Sequence, residues 1–217
     1  MTTAVVVASA ELHPGDARHL DAADLVVAAD GGALSAERCG RLPDVIVGDI
    51  DSLDTGDAAR LEARGVVVER HSPDKDASDA ELAIERAVAA GAARVILLGA
   101  TGGERLDHEL ANVLLVADPR YATLDLRLVR GSIVVRAVHG GRAIDLEAEP
   151  GDVITLLPVG GDAVGVSTGG LRWGLEGATL SLGRSRGLSN EVVAASASVR
   201  LQSGTLLVVV TQGGIPS

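Results

Sequence analysis

The chain has 217 residues, 47% hydrophobic and 23% charged, which is ordinary globular usage and long enough for one α/β domain or two smaller ones. No low-complexity tract or internal repeat stands out, and no apolar stretch approaches the roughly 20 residues that span a bilayer, which argues against disorder and against a membrane protein. A net charge of −11 with a single lysine argues against nucleic acid as a partner, because duplex binding needs a basic face. The same charge suits metal ions and cationic small molecules, although an acidic solvated surface accounts for it equally well.

The acidity is concentrated near the start. Residues 1–130 hold 23 acidic and 13 basic side chains, and residues 131–217 hold 7 and 6. Cys39 is the only cysteine, so no intramolecular disulfide can form. The chain enters a strand-like run at Ala4 with no basic segment before it, and the cytoplasm is the expected compartment.

Over the first 130 residues, short β-branched runs alternate with longer Ala-rich amphipathic stretches, the pattern of βα units around a parallel sheet. Strands are expected at Ala4–Ala8, Leu25–Ala29, Val45–Val47, Val66–Glu69, Val95–Leu98 and Leu124–Val129. Several are apolar on both faces, as buried parallel strands are. One helix begins at a Ser78/Glu81 capping box, carries an apolar stripe of Ala80, Ile84, Ala87 and Val88, and stops at Gly91. In the next, Leu106, Leu110, Val113 and Leu114 repeat the helical spacing before Pro119.

Past Gly131 the long helical stripes disappear, and 16 of the 27 glycines fall in the last 87 residues. Alternating segments at Ile133–Val138, Ala143–Leu146, Val153–Leu157, Ala163–Val166, Ala178–Leu182, Ala194–Leu201 and Thr205–Val210 are divided by Gly, Asp and Pro turns. The fold class expected is α/β, a Rossmann-like parallel sheet domain over 1–130 followed by an antiparallel β-sandwich over 131–217. No Ser/Gly linker separates them, so the two parts are expected to pack together.

Four segments of the first part each follow an expected strand, at the carboxyl edge where open parallel sheets bind ligands. In ADGGA, Asp30 ends a strand and Gly31 and Gly32 permit a tight turn; a plain turn with an Asp cap explains it as well. In VGDIDSL, Asp49 and Asp51 stand two apart, and in an extended loop both carboxylates face one hard cation; the competing reading is a solvated turn. In SPDKDASDAEL, capping accounts for Ser78 and the helix dipole for Asp79, but neither requires Lys75, which can neutralise a phosphate or sit in a surface ion pair.

The fourth segment, LLGATGGERLDHELAN, reads as strand, glycine-rich turn and helix. Thr101, Gly102 and Gly103 can turn backbone N–H groups toward an anion at a helix N-terminus. Arg105 can clamp phosphate oxygens, and Asp107 can orient that arginine or serve as a ligand itself. Neither GK[ST] nor GxGxxG is present. His108 reads more simply as a helix-surface histidine. In the second part, Trp173 lies among glycines in GGLRWGL, in a chain whose only other aromatic is Tyr121. A flat or cationic ligand stacked on it competes with ordinary core packing. Ser189 and Asn190 of SRGLSNEV offer donors and acceptors on a loop.

Taken in order, ADGGA, GDIDS, DKDASDAEL, GATGGERLDH, GLRWGL and GLSNE resemble the thiamine pyrophosphokinase family, over a span from about residue 28 to the C-terminus. The resemblance implies an α/β nucleotide domain with a C-terminal β-sandwich, and a homodimer with active sites between subunits. It also implies transfer of the pyrophosphoryl group of ATP to the hydroxyethyl oxygen of thiamine, giving thiamine diphosphate and AMP. By similarity, Asp49, Asp51 and Asp79, with Asp30, bind Mg²⁺; Lys75, Ser78, Thr101, Gly102, Gly103 and Arg105 hold the phosphates; Trp173 stacks on thiamine with Ser189 and Asn190 beside it. Asp51, Asp79 and Asp107 remain alternatives for the group that accepts the hydroxyl proton. Departures from the family pattern are Leu34, Lys75 and the extra Glu104 before Arg105, which bears on where that arginine lies. A non-catalytic nucleotide or thiamine sensor and a Mg²⁺-dependent phosphohydrolase are the other readings of the same residues.

Overall fold

Runs of Val, Ile, Leu and Ala set the inner strands of the first unit, because such side chains suit a sheet covered on both faces. The computed structural model describes residues 1–74 and 76–214, so Lys75 lies outside the described residues. Packing divides the chain into one unit of Met1–Leu115 with Leu124–Gly131 and another of Val116–Thr123 with Ser132–Ser217.

In the first unit, β1 (Thr3–Val7), β2 (Leu25–Ala29), β3 (Val45–Gly48), β4 (Val67–Arg70), β5 (Arg94–Leu98) and β6 (Asp125–Arg130) lie in the order β6-β5-β1-β2-β3-β4. Every pairing is parallel. Helices α1 (Ala17–Asp21), α2 (Gly32–Arg38), α3 (Thr55–Ala63), α4 (Asp79–Ala89) and α5 (Leu106–Val116) lie between strands in sequence. After β4 the chain returns to place β5 on the far side of β1, so the sheet has its topological switch point beside β1, where ligand crevices form. Val5, Ile46 and Leu97 are fully buried. Truncating Ile46 or Leu97 to Ala would cost about 2–5 kcal/mol.

The apolar stripe of α4 behaves as its spacing requires at Ala80, Ile84 and Ala87, which are buried, but not at Val88, which is 42% exposed. That of α5 departs further: Leu106, Leu110 and Leu114 are 67%, 56% and 52% exposed. The period identifies the helix, but it does not say what covers its apolar face.

In the second unit, β7 (Ile133–His139), β8 (Arg142–Leu146), β9 (Val153–Pro158), β10 (Ala163–Gly169), β11 (Ala178–Leu180), β12 (Asn190–Glu191), β13 (Ala197–Leu201) and β14 (Thr205–Thr211) are antiparallel. They form two layers, β12-β9-β14-β7 and β11-β10-β13-β8. Between them lies an aliphatic core that includes Ile154, Leu156, Val166, Val199, Leu201 and Leu206. The strand expected to begin at Ala194 starts only at Ala197, because the Val193 N–H has already turned to the Gly170 carbonyl. Asn190–Glu191, read as loop from the sequence, is a two-residue strand on β9.

Candidate active site

The carboxyl ends of β1, β2, β3 and β5 open on a cavity of about 580 Å³. All of its lining residues belong to the first unit. Asp30 follows β2, Asp49 follows β3, and Asp79 opens α4, whose first turn is capped by Ser78 Oγ accepting from the Glu81 N–H at 3.2 Å. Gly32 allows this convergence: a Cβ there would lie 2.0 Å from the Val7 carbonyl oxygen, so only glycine brings α2 against the end of β1.

Asp30, Asp49 and Asp79 each offer a carboxylate oxygen, and the three oxygens lie within 4.8 Å of one another. Asp30 is 3% exposed and does not cap α2, whose N-cap is Gly31 with no side-chain bond. One Asp30 oxygen accepts from the Ser52 N–H at 3.2 Å, while the other is buried with no hydrogen-bond partner. Burial pushes the Asp30 carboxyl above the ordinary range, hydrogen bonds from Ser52 work against that, and the charges of Asp51 and Asp79 add to it. A buried, half-satisfied carboxylate crowded by two more fits a divalent cation with oxygen ligands. Gly48 fits the same crowding, since a Cβ on it would stand 3.0 Å from Asp79 Oδ1.

Asp51 lines the cavity but lies outside that group of three. The expected extended loop does not form, because Ile50 between the two aspartates has φ 64°. A β-branched residue in the left-handed region breaks the alternation that would aim both carboxylates one way. The Asp51 carboxylate instead accepts from Ser52 Oγ at 3.2 Å. Among the described residues only Asp30, Ile50 and Ser189 combine a side chain with positive φ. Strain of this kind, about 1–3 kcal/mol per residue, persists where surrounding structure enforces it.

Across the cavity stands the glycine-rich turn. Gly103, Glu104 and Arg105 line the wall, whereas Thr101 and Gly102 are not among the described lining residues. The Gly102 N–H, expected to be offered to an anion, donates to Glu109 Oε1 at 2.8 Å. Arg105 and Asp107 form a two-bond pair at 2.9 and 2.6 Å, exposed on both sides. The arginine holds the Asp107 carboxyl well below the usual range, which makes it a poor proton acceptor. Asn112 Nδ2 donates to the Ala100 carbonyl at 3.0 Å and so fixes the strand end beneath the turn. His108 also lines the cavity.

In the second unit, Trp173, Ser189 and Asn190 come together. Trp173 is 60% exposed, which removes the core-packing alternative. Asn190 is buried and bonds the Trp173 backbone in both directions, Oδ1 accepting from its N–H at 3.1 Å and Nδ2 donating to its carbonyl at 2.8 Å. The Ser189 N–H donates to Thr155 Oγ1 at 3.1 Å.

Residues 17–128, more than half of the chain, match the model of the family described as "Thiamin pyrophosphokinase, catalytic domain". The chain belongs to the thiamine pyrophosphokinase family. Residues 143–206 match that family's "vitamin B1 binding domain". Among curated relatives, thiamine pyrophosphokinase of Bacillus subtilis (strain 168) is 24% identical over 88% of this chain and 89% of its own length. Thiamine pyrophosphokinase 1 of Oryza sativa subsp. japonica is 28% identical over 87% and 78%. Among solved structures, thiamin pyrophosphokinase from Geobacillus thermodenitrificans superposes with a TM-score of 0.80 at 28% identity, covering 97% of both chains. The Bacillus subtilis structure has the same fold at a TM-score of 0.85 and 24% identity, covering 98% of this chain and 100% of its own.

As a thiamine pyrophosphokinase family member the chain is a transferase of the kinase type. Sequence reasoning passed over Ser52, Glu109 and Asn112 as cavity residues. Glu109 and Asn112 stand on α5 a helical repeat or two beyond Arg105, a periodic signal that could have found them. Nothing local marks Ser52, whose backbone N–H is brought to Asp30 by the fold. Among the described residues no helix is long and apolar enough to cross a membrane.

Proposed function

We propose that this chain transfers the pyrophosphoryl group of ATP to the hydroxyethyl oxygen of thiamine, releasing AMP. The observation that carries the reading is the group of three carboxylates, two at strand ends and one at the start of α4, facing a glycine turn and Arg105 across one cavity. The first unit is the nucleotide- and metal-binding catalytic part, and the second binds thiamine.

Asp30, Asp49 and Asp79 hold Mg²⁺. Bound there, the ion neutralises phosphate oxygens and makes the β-phosphorus more electrophilic. Ser78 and Gly103 receive the phosphates, and Lys75, by the family resemblance, neutralises them. Arg105 swings from Asp107 to clamp phosphate oxygens, a move between two exposed charge-assisted partners. Asp51 lies on the cavity but outside the group of three, whereas Asp107 is not among the described lining residues, so Asp51 accepts the hydroxyl proton. Attack at the β-phosphorus demands little covalent chemistry from the protein, and positioning with charge stabilisation supplies the acceleration. Trp173 stacks on thiamine; Ser189 and Asn190 form the rim beneath it, with Asn190 acting through the Trp173 backbone.

The active protein is a homodimer, which covers the exposed Leu106, Leu110 and Leu114 face and brings Trp173 of one subunit to the other's cavity. The cytoplasm, which supplies ATP, is its compartment. Incubation with thiamine, ATP and Mg²⁺ tests the reading: AMP and thiamine diphosphate must appear in equal amounts. No product with Mg²⁺ or Mn²⁺, or phosphate released from ATP without thiamine, would overturn it.

A further inference from the structure

Two residues of the second unit's motifs have no role in the reaction as drawn, Arg172 of GLRWGL and Glu191 of GLSNE. They face one another across a short antiparallel contact: the Arg172 N–H donates to the Glu191 carbonyl at 2.8 Å, and Leu171 bridges Val192 beside it. Their side chains meet as well, with Arg172 Nη2 3.1 Å from Glu191 Oε1. The same guanidinium lies over the Trp173 ring, 5.9 Å from its centroid.

We infer that Arg172, anchored by Glu191, is a positioning residue that covers one face of the Trp173 indole and leaves the other as the single docking face for the substrate's cationic ring. The inference rests on the reading of Trp173 as the thiamine stack. A tryptophan 60% exposed has little packing to hold its side-chain torsions, and Asn190 restrains only its backbone. The cation over the ring supplies the missing restraint. Glu191 has two effects. It holds the guanidinium in place through a contact less than half exposed on the glutamate side, and it offsets a positive charge that would otherwise oppose a thiazolium on the same indole. The Glu191 N–H donates to Asn190 Oδ1 at 2.9 Å, so side-chain restraint and backbone restraint meet in adjacent residues. The arrangement also selects ligands: a ring that offers one face takes one flat partner, and a neutralised guanidinium tolerates a cation there.

Trp173 is the only tryptophan of the chain, so its indole fluorescence, excited apart from that of Tyr121, reports on this site alone. In the full-length protein, Arg172→Ala should increase quenching by the neutral probe acrylamide and lower the steady-state anisotropy of the indole. It should raise the KM for thiamine roughly two- to fivefold, the range expected of an exposed cation–π contact. The KM for ATP and kcat at saturating thiamine should stay within about twofold of the parent. Arg172→Lys should restore most of the thiamine KM, whereas Glu191→Gln should weaken thiamine while sparing a neutral pyrimidine analogue. Unchanged quenching and unchanged thiamine KM in Arg172→Ala overturn the inference alone, provided thiamine quenches Trp173 in the parent. If thiamine does not quench the parent's Trp173, the stacking reading falls and this inference with it. A loss of kcat equal to the loss of kcat/KM would also overturn it, because it would put Arg172 at the reacting atoms.

Discussion

Asn190 holds Trp173 by both of its backbone polar groups, accepting the N–H at 3.1 Å and donating to the carbonyl at 2.8 Å. A buried amide used in this way cannot be exchanged for a carboxylate, because Asp has no donor for the carbonyl. Asn190→Asp and Asn190→Ala should each weaken thiamine about 10-fold, the cost of leaving part-buried backbone groups of Trp173 unpaired, with ATP affinity unaffected. Steady-state kinetics with each substrate varied in turn checks this; equal losses for both substrates would speak against it.

Asp49 and Asp51 should separate by experiment. Asp49→Asn removes a member of the group of three and should lower Mn²⁺ affinity and turnover together, by about 100-fold or more. Asp51→Asn should abolish turnover while Mn²⁺ binding, followed by electron paramagnetic resonance, stays near that of the parent. Lost metal binding in Asp51→Asn would return that residue to the metal's ligands.

Asp30 gives a pH signature. Its folded pKa is raised above the unfolded value, so the folded protein holds this proton more tightly. Metal-free stability therefore falls as pH rises from the ordinary carboxylate range through the raised folded value, and the penalty is complete above it. Asp30→Asn should accordingly raise the metal-free Tm at neutral pH and erase the Tm increase that Mg²⁺ gives the parent. Calorimetry with and without Mg²⁺ at pH 5 and pH 7.5 reads both effects; a lower metal-free Tm would contradict the account.

Gly48 has room for nothing larger. At φ 152°, with Asp79 Oδ1 3.0 Å from the place a Cβ would take, Gly48→Ala should cost more than about 1 kcal/mol and spread the carboxylates. Mn²⁺ affinity should fall with stability. Unfolding with urea, run beside metal titration, measures the two losses.

The α5 face predicts assembly. Leu110→Glu puts a charge in the middle of the exposed stripe and should weaken association on the order of tenfold or more. Sedimentation should show monomers at concentrations where the parent is dimeric. A parent that is monomeric throughout would remove the dimer.

What the sequence disclosed follows from the range of each cause. Leu25–Ala29 was legible to the residue, since an apolar run between polar neighbours needs no tertiary information. So was the start of α4 at Ser78, a local hydrogen bond. The positions of Asp30 and Asp49 at strand ends, and of Asp79 in the first turn of α4, were legible for the same reason. Their convergence without Asp51 was not, because it turns on a left-handed Ile50, a conformation that the residue type argues against. The engagement of Trp173 by Asn190 depends on a folding partner that no local pattern announces.

Ile50 carries a last consequence for anyone who would improve this protein. Selection for heat resistance alone rewards exchange of a β-branched residue in a left-handed turn for Gly or Asn, which relaxes the loop. A relaxed loop is free to point Asp49 elsewhere. Thermostable variants drawn from an activity-blind library should thus accumulate changes at this position and arrive robust but catalytically silent, so turnover must be screened alongside melting from the first round.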